Sequence, residues 1–279
     1  MQLPISHERP NIMHIDLNSA FATTEQQAHP SLRGRPVAVT NRLTKGACVI
    51  ACSYEGKLLA PNLVMVETDP PKYHYVYQKL ASIMKSYSPN VKMKSIDEGI
   101  IDFHGTRGVV NPRPLSVIGY EIKKRVQTEI GDWMRVNIGI APNRFLAKLA
   151  AGLHKPDGLD VITHANLKKI YRGLKLTDLP GIAEHYEARL NAQGIYSPLQ
   201  FLDARSDILH RAVFRSVVGE DWYQRLRGYE VDDYKTKLGN VGRQYVLDVR
   251  THDESKILSR FQYLCETTGR KLRYNKVDA

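Results

Sequence analysis

The chain has 279 residues, 42% hydrophobic and 25% charged, an ordinary folded composition with room for about two to four compact units. No run approaches the roughly 20 apolar residues of a membrane span, and Met1 to Pro10 lacks the apolar centre of a signal peptide, so a cytoplasmic or nucleoid-associated protein without membrane contact is expected. The net charge of +11 excludes no function class. It does favour an anionic partner, because ten Lys or Arg against five Asp or Glu lie between Lys235 and Ala279, as a phosphate-tracking surface requires.

Asn11-Ile-Met-His-Ile-Asp16 reads as a short buried strand ending on an acid, and a helix follows from Asn18 to about Ala28, where Pro30 stops it. Pro36 to Thr40 and Ala47 to Ala51 read as strands joined by the basic turn Asn41 to Gly46. Cys48 and Cys52 lie four apart among Val, Ile and Ala, with no histidine nearby to complete a zinc set. Together with Cys265 they are expected to be buried thiols. Tyr73 to Tyr87 has a helical stripe of Val76, Leu80, Ile83 and Met84.

Val91 to Lys94 and Gly99 to Phe103 form the arms of a hairpin with Ser95-Ile-Asp-Glu-Gly99 at its tip. Leu115, Ile118, Ile122, Val126 and Ile130 repeat at helical spacing; Val136, Ile138 and Ile140 alternate as a strand; Phe145 to Leu153 is helical again. This order favours an α+β sheet covered by helices on one face. From about Asn166 the pattern is all-helical, with tight breaks at Leu179-Pro-Gly-Ile-Ala183 and Gly194-Ile195. Gln244 to Val249 resembles a strand. Asp253 then caps a helix with apolar Ile257, Leu258, Phe261, Leu264, Cys265 and Leu272.

Taken alone, Asp16 is a helix-capping acid or a chemical one, and Asp97-Glu98 are two solvated turn acids or a paired site. Adjacent side chains of a regular strand point to opposite faces, so only a turn would let both carboxylates converge. Spacing leaves both readings open. The ten histidines show no metal spacing, Ser53 has no acid–base pair to activate it, and no G-x-x-x-x-G-K-[ST] loop is present. Arg144 and Lys148, one turn apart, read as solvated or phosphate-facing.

The ordered set Ile15-Asp-Leu-Asn-Ser-Ala-Phe21, Ser53-Tyr-Glu55, Ser95-Ile-Asp-Glu98, Gly139-Ile-Ala-Pro-Asn-Arg144, Leu146-Ala-Lys-Leu-Ala150, His154-Lys-Pro-Asp-Gly158 and Leu179-Pro-Gly-Ile182 resembles the Y-family translesion DNA polymerases, especially the DNA polymerase IV type. The resemblance runs from about Ile12 to the C-terminus. It implies an α+β right hand: palm at 1–28 and 70–165, small fingers at 29–69, helical thumb at 166–234, and a linker with the start of a little finger at 235–279. It implies template-directed, low-fidelity DNA synthesis without proofreading, on primer-template DNA with deoxynucleoside triphosphates. The enzyme would be a monomer, and a sliding clamp would be met through a tail outside this sequence.

By the same resemblance, Asp16, Asp97 and Glu98 with the carbonyl of Leu17 hold two Mg²⁺ ions, a cation suited to oxygen ligands shared with phosphates. Phe21 stands at the family's steric gate against a 2′-hydroxyl, and Tyr54 and Lys155 contact the triphosphate. Pro180, Gly181, Ile182 and Ala183 match the turn of a helix-hairpin-helix that binds a DNA phosphate through backbone N–H groups. Arg243 belongs to the basic DNA-gripping segment.

Three features depart from the family. After Glu55 the family continues for roughly fifteen to twenty residues, a loop with an arginine that reaches the triphosphate, whereas here Gly56-Lys-Leu-Leu-Ala-Pro61 follows at once. Ala51 stands where many relatives carry Thr or Ser, and the little finger stops after its first helix. Segments missing from the sequence are favoured over true deletion, because deleting the finger's core would expose apolar surface on its neighbours. Two alternatives to an active polymerase are a catalytically silent relative that binds DNA as an accessory and an unrelated helix-hairpin-helix protein. Retention of all three acids argues against the first; the second leaves Asp16 and S-I-D-E without a role.

Overall fold

The structure, a computed structural model, describes residues 3–44, 47–58, 62–106, 113–233, 240–245, 247 and 249–276. In chain order the first elements are β1 (Ile12–Leu17), α1 (Ala20–Ala28), β2 (Val37–Thr40), β3 (Val49–Cys52), β4 (Val64–Glu67) and α2 (Pro70–Lys85). Then come β5 (Val91–Met93), β6 (Glu98–Asp102), α3 (Leu115–Glu129), β7 (Val136–Ala141), α4 (Arg144–Leu153) and β8 (Leu159–Val161). The helices α5 (Leu167–Arg172), α6 (Glu184–Asn191), α7 (Pro198–Asp203), α8 (Ser206–Ile208) and α9 (Val218–Arg225) follow, and α10 (Glu254–Asn275) comes last. The fold is α+β, as the sequence led us to expect.

β1 is the middle strand of a five-stranded sheet ordered β5-β6-β1-β7-β8, antiparallel to both β6 and β7. Its alternation sorts the residues cleanly. Met13, Ile15 and Leu17 share a face with Ile101, Val136, Ile138 and Ile140, and that face is buried under α2 and α3. Ile12, His14 and Asp16 share the other face with Glu98, Ile100, Asp102, Asn137, Gly139 and Ala141. A helix was expected on one face only, and this is corrected: α4 lies across the second face. Gly139 permits the approach, since a Cβ there would stand 2.0 Å from the Ala147 carbonyl oxygen and 2.2 Å from the Ala151 nitrogen. With α4 seated, Ile12, Ile100 and Ala141 join one apolar core with Leu146, Ala150, Leu179, Phe201 and Trp222 of the helical segment.

A second sheet, ordered β3-β2-β4, pairs β2 antiparallel with β3 and parallel with β4. α1 packs on its inner side through Ala22, Val37 and Val39. The short strands β4 and β8 were not foreseen; at four and three residues they show too few alternations to register as periodicity.

Two further expectations, on the cysteines and on Gln244 to Val249, are corrected. β3 passes through Ser53 directly into a 3₁₀ turn at Glu55–Leu58. On β3 and β4, Ile50 is 49% and Met65 42% exposed. Leu59, Ala60 and Pro61 lie outside the described residues, as do Lys45 and Gly46 of the basic turn. Cys48 and Cys265 are exposed and Cys52 half-buried, because β3 is an edge strand and α10 buries no residue. Gln244, Tyr245, Leu247 and Val249 form no strand, for want of a partner strand to take their backbone hydrogen bonds; Val246 and Asp248 of that stretch are outside the described residues.

The chain divides into two units, Met1–Asp232 and Asp233–Ala279. In the smaller one, the Asp253 side chain caps α10 by accepting from the Lys256 N–H at 3.3 Å, as its sequence position implied. The Arg260 guanidinium lies 4.8 Å from the centre of the Tyr245 ring. Among the described residues, no helix is long and apolar enough to cross a membrane.

Candidate active site

Asp16 and Glu98 are register partners across the β1–β6 ladder, so their side chains leave the sheet side by side on the face carrying α4. The sequence could not give this pairing, because register depends on where the hairpin turns. The tip is set by Ser95. Its hydroxyl oxygen accepts from the Glu98 N–H at 3.1 Å and donates to the Asp97 carboxylate. The carbonyl of Asp97 accepts from the Leu17 N–H at 2.9 Å, locking the tip to the end of β1. Leu17 itself is buried.

Each acid already has a partner. The Lys155 ammonium contacts the Asp16 carboxylate. Lys148 Nζ lies 2.9 Å from Glu98 Oε2, and His14 Nε2 lies 3.3 Å from the same oxygen, close in distance though poorly aligned for a hydrogen bond. The His14 imidazole first and the Lys148 ammonium after it outweigh burial and hold the Glu98 carboxyl at about 2, against an ordinary 4.5. Glu98 is thus an anion at any physiological pH. Lys148 and His14 were not assigned by sequence reasoning. The available signal was parity: His14 is two residues before Asp16 on one strand, and therefore on its face.

The third acid is placed differently. Asp97 lies in the bend before β6, its carboxylate turned to Ser95. Among the described residues no three His, Cys, Asp or Glu side chains are arranged to hold a metal ion. The donor chemistry nonetheless fits a hard divalent cation, with two ionisable carboxylates on one face, a third one residue away, and only oxygen among the acidic ligands. The ammonium groups of Lys148 and Lys155 occupy the positions of positive charge beside those oxygens.

Ser19 turns the chain from β1 into α1 in the left-handed conformation, φ 46°, a cost for a residue with a Cβ. Its effect is that α1 begins at Ala20, two residues after the expected start. Phe21, in the first turn, is half-buried against Tyr73, with ring centroids 4.6 Å apart. Tyr54, just beyond β3, is exposed. Arg144, read from the sequence as solvated or phosphate-facing, is buried, with Nη1 2.9 Å from Glu230 Oε2 and Nη2 3.3 Å from Asp102 Oδ2.

The expected phosphate-binding turn runs from a 3₁₀ turn, Leu176–Asp178, into α6. Leu179 and Ile182 are buried, Pro180 is half-buried, and Gly181 and Ala183 are exposed. Gly181 has φ +95°, which only glycine adopts without strain. In the smaller unit, exposed Arg243 lines a cavity of about 280 Å³ with Thr267, Arg270, Lys271 and Tyr274.

The sequence model of the impB/mucB/samB family matches residues 15–152. The DNA polymerase IV of Moorella thermoacetica is 31% identical over 288 residues, an alignment covering 94% of this chain and 69% of that protein. The DNA polymerase IV of Staphylococcus aureus strain JH9 is 28% identical over 277 residues, covering 94% of this chain and 76% of the relative. Among solved structures, a Y-family DNA polymerase chimera of Dbh and Dpo4 superposes with a TM-score of 0.79, over 96% of this chain and 80% of its own, at 23% identity.

Proposed function

Because the chain belongs to the Y-family of DNA polymerases, we infer that the Asp16–Glu98 face is the centre at which it joins nucleotides. The protein is a DNA-directed DNA polymerase of the translesion type, and such nucleotidyltransferases need divalent metal. The observation that carries the assignment is the pairing of Asp16 with Glu98 across β1 and β6, one residue from Asp97.

In this reading Asp16, Asp97, Glu98 and the Leu17 carbonyl hold two Mg²⁺ ions. When bound, the ions lower the pKa of the primer 3′-hydroxyl and take up charge on the departing pyrophosphate. The rest falls to the chain's own groups. His14 and Lys148 keep Glu98 ionised and aimed along the sheet face. Lys155, released from Asp16, meets the triphosphate, and the Tyr54 hydroxyl donates to it. Phe21 closes the space beneath the sugar against a 2′-hydroxyl.

The five-stranded sheet and its helices (1–28, 70–165) serve as palm, 29–69 as fingers and 166–234 as thumb, with 235–279 as linker and start of the little finger. The exposed backbone around Gly181 and Ala183 and the Arg243 cavity take DNA phosphates. The enzyme acts as a cytoplasmic monomer on primer-template DNA with deoxynucleoside triphosphates. A sliding clamp is a further partner in this reading.

The test is primer extension with deoxynucleotides and Mg²⁺, comparing the protein with Asp97→Ala/Glu98→Ala. We expect extension to vanish while primer-template affinity persists. Extension that survives the double substitution removes these acids from the reaction; an intact protein that binds DNA and adds nothing revives the accessory reading.

A further inference from the structure

Among the described residues, the one buried carboxylate lies away from the Asp16–Glu98 pair. Glu25 sits on α1, one turn beyond Phe21, and is 1% exposed. Both of its oxygens are engaged. The Tyr73 hydroxyl donates to Oε1 at 2.7 Å, and Lys72 Nζ lies 2.7 Å from Oε2. Both partners belong to the first turn of α2, where the Asp69 side chain accepts from the Lys72 N–H at 3.3 Å.

Tyr73 carries the connection onward. Its ring is buried and lies against the Phe21 ring, tilted by 47°. Ile96, which precedes Asp97, packs into the same small core. Burial and the bond to Glu25 push the Tyr73 hydroxyl far above its ordinary pKa, so it remains a donor throughout the working pH range.

Packing alone would not call for this arrangement. An apolar pair of similar volume would fill the space without desolvating a carboxylate. What the polar pair adds is direction, since a charge-assisted bond at the far end of the ring fixes where its face lies. Phe21 lies against that ring, its centroid 4.6 Å away. A side chain held from behind in this way keeps its depth when a sugar presses on it.

We propose that Glu25 is a positioning residue for sugar discrimination, holding Phe21 through Tyr73 at the depth that excludes a ribose. The inference rests on the reading of Phe21 as the steric gate. It extends that reading to a carboxylate that touches neither sugar nor metal.

The experiment is single-nucleotide insertion by the full chain, measuring kcat and KM for a deoxynucleotide and the matching ribonucleotide. Phe21→Ala tests the gate itself and should raise ribonucleotide insertion. Glu25→Leu, which strands the Tyr73 hydroxyl, should lower the deoxy-over-ribo preference in kcat/KM by about tenfold, the scale of a small misplacement. Glu25→Gln keeps an acceptor and should restore most of the preference. Tyr73→Phe removes a single oxygen and carries the test if Glu25→Leu fails to fold; it should move the preference in the same direction. A responsive Phe21→Ala with a flat Tyr73→Phe and a flat Glu25→Leu overturns this inference alone. Equal losses in Gln and Leu also overturn it, because the effect would then run through Lys72. A flat Phe21→Ala overturns the gate and the inference with it.

Discussion

The two sheets of the larger unit are built to different standards. In the five-stranded sheet every residue of β7 is buried, between α2 and α3 on one side and α4 on the other. In the three-stranded sheet only the central strand β2 is fully buried, and the flanking β3 and β4 leave Ile50 and Met65 about half exposed. The first sheet carries Asp16 and Glu98; the second leads into Tyr54. Close packing on two sides removes small displacements of the two paired carboxylates. Edge strands with half-exposed apolar side chains and few buried contacts open locally at lower free energy.

The largest effect that would break this contrast belongs at Gly139. Valine there would drive its side chain into the α4 backbone, and we expect destabilisation above about 4 kcal/mol, read as loss of the cooperative unfolding transition. A normal denaturation midpoint would mean that α4 does not rest on β7. Next comes Ile15→Ala, which empties a fully buried site of the same sheet and should cost about 3 kcal/mol in urea unfolding. Its counterpart Ile50→Thr, on the half-exposed edge strand of the smaller sheet, should stay within about 0.5 kcal/mol. Equal costs for the two would erase the distinction between the sheets.

The smallest effect is a pH dependence at the end of β6. Burial pushes His104 down, but Asp102 and Glu8 more than offset it, and its pKa is raised above 6.5. A raised folded pKa contributes stability that is fully present below the unfolded value and is lost as pH rises through the folded one. Stability should therefore decline slightly from pH 6 to pH 8.5, and the decline should flatten in His104→Gln. Since the imidazole is 38% exposed, solvent screening keeps the effect small; a slope unchanged in the variant assigns it to other groups.

The sequence made β1, the hairpin, α3, β7, α4 and the cap at Asp253 legible, because each has a clear apolar period or a capping side chain. Its motifs named Asp16, Asp97 and Glu98 and the family that uses them. It could not say that Asp16 faces Glu98 while Asp97 turns to Ser95, since that depends on the register of one hairpin. Nor could it show α4 on the second face, which one glycine permits. The buried thiols failed for a related reason: apolar neighbours in sequence promise burial only if something covers the strand. β3, at a sheet edge with the family's loop shortened beside it, has little cover.

The pairing of Asp16 with Glu98 also restricts how this chain can change length. Side chains along β1 alternate between faces, so a single residue inserted between Ile12 and Asp16 would carry the carboxylate round to the side of Met13 and Ile15. Many substitutions in the strand would leave the two acids adjacent; an insertion or deletion of one residue would separate them. Segments exchanged between related chains should accordingly be joined in the loops, with Ile12 to Leu17 transferred whole.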